Sequence, residues 1–149
     1  MIRPAELSDV RHICETMWER GAIELTYLRI SPEDWLDGWK CRINRGDAVA
    51  IDSHAILGWD WEDESTCATA FQASRSFEEP GIGRSVTREL RLAIPSLAKA
   101  SGAKLVNTYS LCGVPEAEKW FRLLGLLEDT NYKGPRCGPF QLRRFFRSV

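Results

Sequence analysis

The chain has 149 residues, 44% of them hydrophobic and 28% charged, and a net charge of −1. This is the composition of one ordinary globule with one core, and it offers no basic field for nucleic acid or an anionic membrane. No apolar run approaches the roughly 20 residues that span a bilayer, the start lacks a signal-peptide core, and the five cysteines form no Cys-x-x-Cys, so they read as reduced thiols in a cytoplasm rather than disulfides or a zinc site.

Met1–Pro4 reads as a short first strand. Ser8 is an N-cap type of residue, and Val10, Ile13, Cys14, Met17 and Trp18 share one face of a helix expected to reach about Arg20 and to close at Gly21. Ala22–Ile30 reads as a link. Ser31-Pro32-Glu33-Asp34 then opens a second helix with a cap, a proline at the first helical position and acids in the first turn. Trp35, Leu36 and Trp39 are its inward residues. Asp47–Ile51 and Ala55–Trp61 are strand-like around a hairpin turn at Asp52-Ser53-His54. Glu62–Ser65 is an acidic turn, and Cys67–Ser74 is a third strand.

A loop follows, Glu78-Glu79-Pro80-Gly81-Ile82-Gly83, and a long helical pattern starts at Arg84-Ser85-Val86 and stops at Gly102. Pro95 lies inside that pattern. It lacks a donor and clashes with the carbonyl at Arg91, so a kink or break is expected near Ile94. Leu105–Leu111 is an apolar strand. Pro115 starts a short amphipathic helix, Glu116–Leu124, with Ala117, Trp120, Phe121 and Leu124 on one face and Gly125 at its cap. Two last strands are expected near Leu126–Tyr132 and Phe140–Phe146, around a loop from Lys133 to Gly138.

Strand, glycine loop, helix, strand is the arrangement that carries chemistry here. Glycines at a helix mouth let backbone approach a ligand. The first helical N–H groups lack intrahelical partners, and the helix dipole adds positive potential, so the mouth suits a phosphate. An ordinary turn shaped by glycines is the plainer reading of those six residues.

Three local features, in this order, resemble the GNAT N-acetyltransferases. Ile2-Arg3-Pro4-Ala5-Glu6-Leu7-Ser8-Asp9 is similar to the family's first strand and turn. Glu78-Glu79-Pro80-Gly81-Ile82-Gly83 matches both glycines of the Q/R-x-x-G-x-G/A loop. Ala117–Leu126 matches the last helix, A-x-x-L-Y-x-x-L-G-F, in spacing. The resemblance implies a single α+β domain over residues 1–149, with a mixed, mainly antiparallel sheet of six to seven strands and helices on both faces. It implies acetyl-CoA as cosubstrate and an unknown amine as acceptor. Glu78, Gly81, Ile82, Gly83, Arg84 and Ser85 would surround the pyrophosphate. Phe71–Ser74, with Phe71 and Ala73, would line one side of the pantetheine arm and Asn107–Leu111 the other, with Phe121 close by. A base or water frees the amine, and a donor protonates the thiolate.

The departures from the family pattern are specific. Glu78 replaces Gln or Arg, Pro80 removes an N–H donor, and Glu78 and Glu79 place carboxylates near phosphates. Phe121 stands where many members have a proton-donating tyrosine, and Val114 replaces an asparagine. Phe71-Gln72-Ala73-Ser74, the long third helix, Glu118–Gly125 and the ending Gly138–Phe145 also resemble small acetyltransferase-like proteins of tailed bacteriophages, some of them internal virion proteins. That resemblance implies a degenerate protein acting by binding phage or host proteins, in a host cytoplasm or a virion.

Four further features have two readings each. Tyr109, on the strand facing the cosubstrate arm, is either the missing acid or strand packing. Cys112 is an acyl-accepting thiol or a small buried hydrophobe. Asp60, Glu62, Asp63 and Glu64 form an acidic rim for a cationic amine or a solvated hairpin end. Lys133, Arg136, Arg143, Arg144 and Arg147, with Phe145 and Phe146, form a nucleic-acid or acidic-partner surface, or an edge strand guarded by arginines; the alternation of Phe140, Leu142 and Phe146 favours the strand.

Overall fold

A computed structural model describes residues 1–111 and 115–149. The described chain divides into two compact units, Met1–Asp60 with Ala70–Val86, and Trp61–Thr69 with Thr87–Val149. Among the described residues the fold is α+β, with eight strands in a mixed, mainly antiparallel sheet. The strand beyond the expected six to seven is the two-residue Arg136–Cys137.

The first unit begins with β1 (Ile2–Pro4) and α1 (Leu7–Glu15). The cap of α1 is Glu6 rather than Ser8, because the Asp9 carboxylate turns back to accept the Glu6 N–H at 2.8 Å. The helix ends well before Arg20. Thr16 folds its hydroxyl onto the His12 carbonyl at 2.7 Å, and Met17 bridges to Ser74. A separate helix, α2 (Glu19–Tyr27), replaces most of the expected link. Gly21 lies inside α2, not at a helix end: a Cβ there would come within 2.6 Å of the Gln72 amide oxygen. Helix α3 (Pro32–Arg45) starts as expected, with the Ser31 hydroxyl accepting from the Asp34 N–H at 3.1 Å. It stops at Gly46, whose φ of 77° is cheap only for glycine.

Strands β2 (Ala48–Ile51) and β3 (Ala55–Trp61) form the expected hairpin, with Ile51 opposite Ala55 and Asp52 at φ 48°. β1 pairs antiparallel with β2. β4 (Thr66–Ala73) comes next in strand order. The core of this unit is Val10, Ile13, Trp35, Trp39, Ala50 and Ile56, with Trp39 only 1% exposed. Burying a side chain of that size is worth on the order of 2–3 kcal/mol, and it binds α1 and α3 to β2 and β3.

After β4, a 3-10 turn (Arg75–Glu78) leads into α4 (Pro80–Ser101). The helix begins at Pro80, four residues before Arg84, so most of the expected glycine loop is its first turn. Proline is well suited to that first position because its missing N–H had no intrahelical partner. At the other proline the expected break does not occur. α4 runs through Pro95 as one helix, and the stripe Val86, Leu90, Ile94, Ala98 is buried along it. Apolar burial at four-residue spacing holds the turn that the lost hydrogen bond weakens.

In the second unit, Thr66–Thr69 of β4 run parallel to Leu105–Thr108 of β5 (Leu105–Leu111). Helix α5 (Pro115–Leu123) precedes β6 (Leu127–Glu128), much shorter than expected, then β7 (Arg136–Cys137), which falls where only a loop was expected. β8 (Phe140–Ser148) pairs with β5 on one side and with β6 and β7 on the other. It is therefore an inner strand, not the expected edge, and Phe145 is 1% exposed. Its arginines are committed inside the fold: Arg143 to Glu118, Arg144 to Asp129, and Arg147 to the Leu124 carbonyl. No helix among the described residues is long and apolar enough to cross a membrane.

Candidate functional site

Two polar regions carry the residues singled out from the sequence. The first is the mouth of α4. The Ala73 carbonyl accepts the Trp18 N–H at 2.9 Å, and the Ser74 N–H donates to the His54 carbonyl at 2.8 Å, so the end of β4 is pinned on both sides. Phe71 stands edge-on to Phe77 at 5.8 Å, and Phe77 packs on Trp18 at 5.1 Å. The Trp18 indole N–H donates to the Glu78 carboxylate at 2.7 Å. This aromatic support was not legible in the sequence, since Trp18 lies 60 residues from Glu78.

The two glycines of the mouth differ. A Cβ on Gly83 would sit 2.7 Å from the Phe77 carbonyl oxygen, so glycine there lets the turn and helix touch. A Cβ on Gly81 would meet nothing within 4 Å. The Gly83 N–H donates to the Glu79 carbonyl at 2.9 Å. Pro80 has no N–H. The donors that point out of the helix start are those of Gly81 and Ile82, which have no preceding helical carbonyl to reach. Ile82 is half-buried, and Arg84 and Ser85 are exposed in the next turn. Open space at Gly81, two backbone donors and the positive end of a 22-residue helix fit a phosphate group, with fewer donors than a free glycine loop would present.

The second region lies wholly in the other unit. The Tyr109 hydroxyl donates to Glu62 Oε1 at 2.8 Å, and the Asn107 amide donates to the same oxygen at 3.4 Å. Strand geometry explains the pairing: residues two apart on β5 share a face. Asn107 is 4% exposed. Arg144 is the cross-strand partner of Tyr109. It donates to Asp129 at 2.6 Å and lies over the Tyr132 ring, 4.6 Å from its centre, while Tyr132 stands edge-on to Tyr109 at 5.5 Å. Burial pushes the Tyr109 phenol above its ordinary range, the Arg144 guanidinium pulls it down, and the Glu62 carboxylate pushes it up; the net direction is up. At neutral pH it is a proton donor.

The acidic rim separates into different jobs. Asp60 is held by Arg42 and Arg45 at 2.6 and 2.8 Å. Asp63 accepts the N–H groups of Ser65 and Thr66, each at 2.8 Å, as a turn residue does. Trp61, Glu62, Asp63, Glu64 and Ser101 line a shallow hollow of about 530 Å³. Phe121 packs on Phe145 at 4.6 Å and is 7% exposed, so the ring belongs to the core of its unit. Cys112 and Val114 lie outside the described residues.

No protein-family model and no curated protein matches the sequence. Solved structures do match in shape. A candidate phosphinothricin N-acetyltransferase superposes with a TM-score of 0.71 at 14% identity, over 100% of this chain and 98% of its own. The GNAT domain of S. lividans PAT gives 0.67 at 14% identity, over 99% and 89%. A candidate acetyltransferase of Salmonella typhimurium, yncA, solved with acetyl-CoA, gives 0.66 at 13% identity, over 99% and 92%. With its parallel β4–β5 pair followed by β8, the chain has the fold of the GNAT N-acetyltransferases.

Proposed function

We propose that residues 1–149 act as one domain, a cytoplasmic acetyl-CoA-dependent N-acetyltransferase for an amine. The observation that carries this reading is the mouth of α4, which follows β4 and offers the Gly81 and Ile82 donors beside open space. Those N–H groups hold a phosphate of the cosubstrate, with Arg84 and Ser85 exposed next to them. Phe71 and Ala73 of β4, and Asn107 and Tyr109 of β5, are the strand residues assigned to its arm. When bound, acetyl-CoA supplies an acetyl group activated as a thioester. Tyr109, rather than the buried Phe121, is the group with a proton to give. The test is calorimetry and thermal melting with acetyl-CoA: a ligand that binds only the native state raises Tm. An unchanged Tm at millimolar acetyl-CoA rejects the reading.

A second reading is favoured by one observation. Phe121, Pro80 and the Glu78 carboxylate have each been absorbed into packing or turn structure. A chain that kept the scaffold and lost the chemistry would act by binding phage or host proteins, in the host cytoplasm or in a virion. Failure to bind coenzyme A at low salt selects this reading.

A further inference from the structure

We propose that the chain associates head to tail with a second copy of itself, the basic outer face of α4 and α5 on one protomer seating against the acidic, apolar surface at the end of α2 and the start of α3 on its partner. The inference is independent of the acetyltransferase reading. Each of the two surfaces lies within one compact unit.

The basic face is built in the second unit. From Thr87 to the end of α4, and in α5 from Glu118, every exposed charged side chain is a cation: Arg88, Arg91 and Lys99 on α4, Lys119 and Arg122 on α5. The two helices are tied to each other. The Trp120 indole N–H donates to the Thr87 hydroxyl at 2.9 Å, and Arg147 donates to the Arg91 and Leu124 carbonyls at 3.3 and 2.8 Å. Elsewhere the chain pairs its arginines with its own acids, as at Arg42, Arg45, Arg143 and Arg144. Among the described residues none of the five cations on this face has an ion pair. The face is not only charged, because Leu92 is 72% exposed next to Arg91 and Leu123 is 54% exposed next to Arg122. Among the described residues neither helix exposes an aromatic ring on which a nucleic-acid base could stack. Two leucines without Trp or Phe are too little apolar surface to enter a lipid interface.

The complement lies in the first unit. Helix α2 buries none of its residues. Ile23 and Tyr27, one turn apart on it, and Ile30 just beyond it are all exposed. The first two turns of α3 follow at once with Glu33, Asp34 and Asp37, also exposed and without an ion pair among the described residues. From Tyr27 to Asp37 the single exposed cation is Arg29. Apolar side chains beside acids thus meet solvent in one unit, and apolar side chains beside cations meet it in the other. Seating the first surface on the second gives carboxylates to guanidiniums, whose planar fork suits them, and covers both sets of apolar side chains. A symmetric contact of either surface with itself would set like charges together. The contact therefore uses a different surface on each protomer, and association runs on into a chain or closes into a ring.

The test is sedimentation of the whole chain over a range of concentrations. At low ionic strength the wild type should associate increasingly with concentration, and high salt should weaken that association. Arg88→Glu/Arg91→Glu on the basic face and Glu33→Lys/Asp37→Lys on the acidic one should each weaken self-association by about tenfold or more. All four side chains are exposed, so both variants should keep the Tm of dilute wild type. If a charge reversal unfolds the chain, Arg88→Gln/Arg91→Gln should show a loss in the same direction. An equimolar mixture of the two charge-reversed variants is the sharpest sample. Each keeps the face that the other has reversed, and the two reversed faces match each other, so the mixture should associate nearly as strongly as the wild type. A wild type that stays monomeric at low salt overturns the proposal. So do variants that associate as the wild type does, or a mixture whose members stay apart.

Discussion

The mouth of α4 and the Glu62–Tyr109 cluster are both polar, and they are built from different materials. At the mouth the groups proposed to bind are backbone N–H groups, and the side chains around them serve the fold: Trp18 holds Glu78, Gly83 admits the Phe77 carbonyl, and Pro80 starts the helix. In the cluster the polar groups are side chains, and backbone only sets their spacing along β5 and β8. A site made of backbone tolerates many sequences, so its motif is weak. A site made of side chains is lost with one substitution, but its parts lie 47 residues apart in sequence, as Tyr109 and Glu62 do. Substitutions that act on one region and spare the other follow from this contrast.

The largest effect is expected at Gly81. Because a side chain there meets open space, Gly81→Glu should fold normally while adding an anion at the phosphate position. Two unit charges about 4 Å apart at an effective dielectric of about 20 repel by roughly 4 kcal/mol, close to three decades in affinity at about 1.4 kcal/mol per decade. Calorimetry should show acetyl-CoA binding abolished and the ligand-free Tm retained. The same substitution at Gly83 would be uninformative, because its Cβ would collide with backbone.

Next in size are two packing effects. Gly83→Ala should cost about 1–3 kcal/mol, the usual range for forcing atoms into a packed place, whereas Gly81→Ala should change stability by no more than about 0.5 kcal/mol, like a substitution away from any packed feature. Phe121→Tyr should also destabilise, by about 1–3 kcal/mol, if its hydroxyl is left without a partner against Phe145. Urea titration measures all three. A faster enzyme from Phe121→Tyr would show that the ring is within reach of the sulfur after all.

This contrast also explains what could be read from the sequence. The β2–β3 hairpin, β5 and the start of α3 announced themselves through local signals: a turn between alternating runs, an apolar run, and Ser31-Pro32 ahead of acids. The fold class followed from the order of such elements. The errors arose where tertiary contacts override local signals. Gly21 signalled a helix stop, but Gln72 packs against it inside α2. Pro95 signalled a break, but the buried stripe of α4 carries the helix through. The arginines of β8 signalled an edge, but they have partners on α5, after β6 and at Leu124. Tyr109 and Glu62 were each visible as candidates, and their union was not, because it depends on the β5–β8 register and the turn after β3.

A smaller effect is expected at Glu78. Its carboxylate lies exposed near the helix mouth and accepts the Trp18 indole N–H. Gln retains an oxygen for that bond and removes the charge. An anion about 7 Å away at an effective dielectric of about 20 would gain roughly 2 kcal/mol, and solvent and salt reduce this, so coenzyme A should bind several-fold more tightly to Glu78→Gln at low ionic strength. The gain should shrink in high salt. Equal affinities at low salt would mean that the phosphate lies farther from Glu78 than the family template implies.

The smallest effect separates the cluster from the mouth by pH alone. Tyr109 holds its proton more tightly in the folded chain than an unfolded tyrosine would, first through burial and then through Glu62, with Arg144 opposing. A group whose folded pKa is raised adds stability that is complete below its unfolded pKa and is lost as pH rises through the folded value. An unfolded tyrosine titrates near about 10, so the loss should begin there. The wild type should show a falling Tm above about pH 10, and Tyr109→Phe should remove part of that fall. Glu62→Gln should also lessen it, since the carboxylate contributes to the raised value. Gly81→Glu, at the other region, should leave the alkaline limb unchanged. If Tyr109→Phe and the wild type lose stability in parallel at high pH, the phenol is not held as the hydrogen bond to Glu62 requires, and the cluster is only packing.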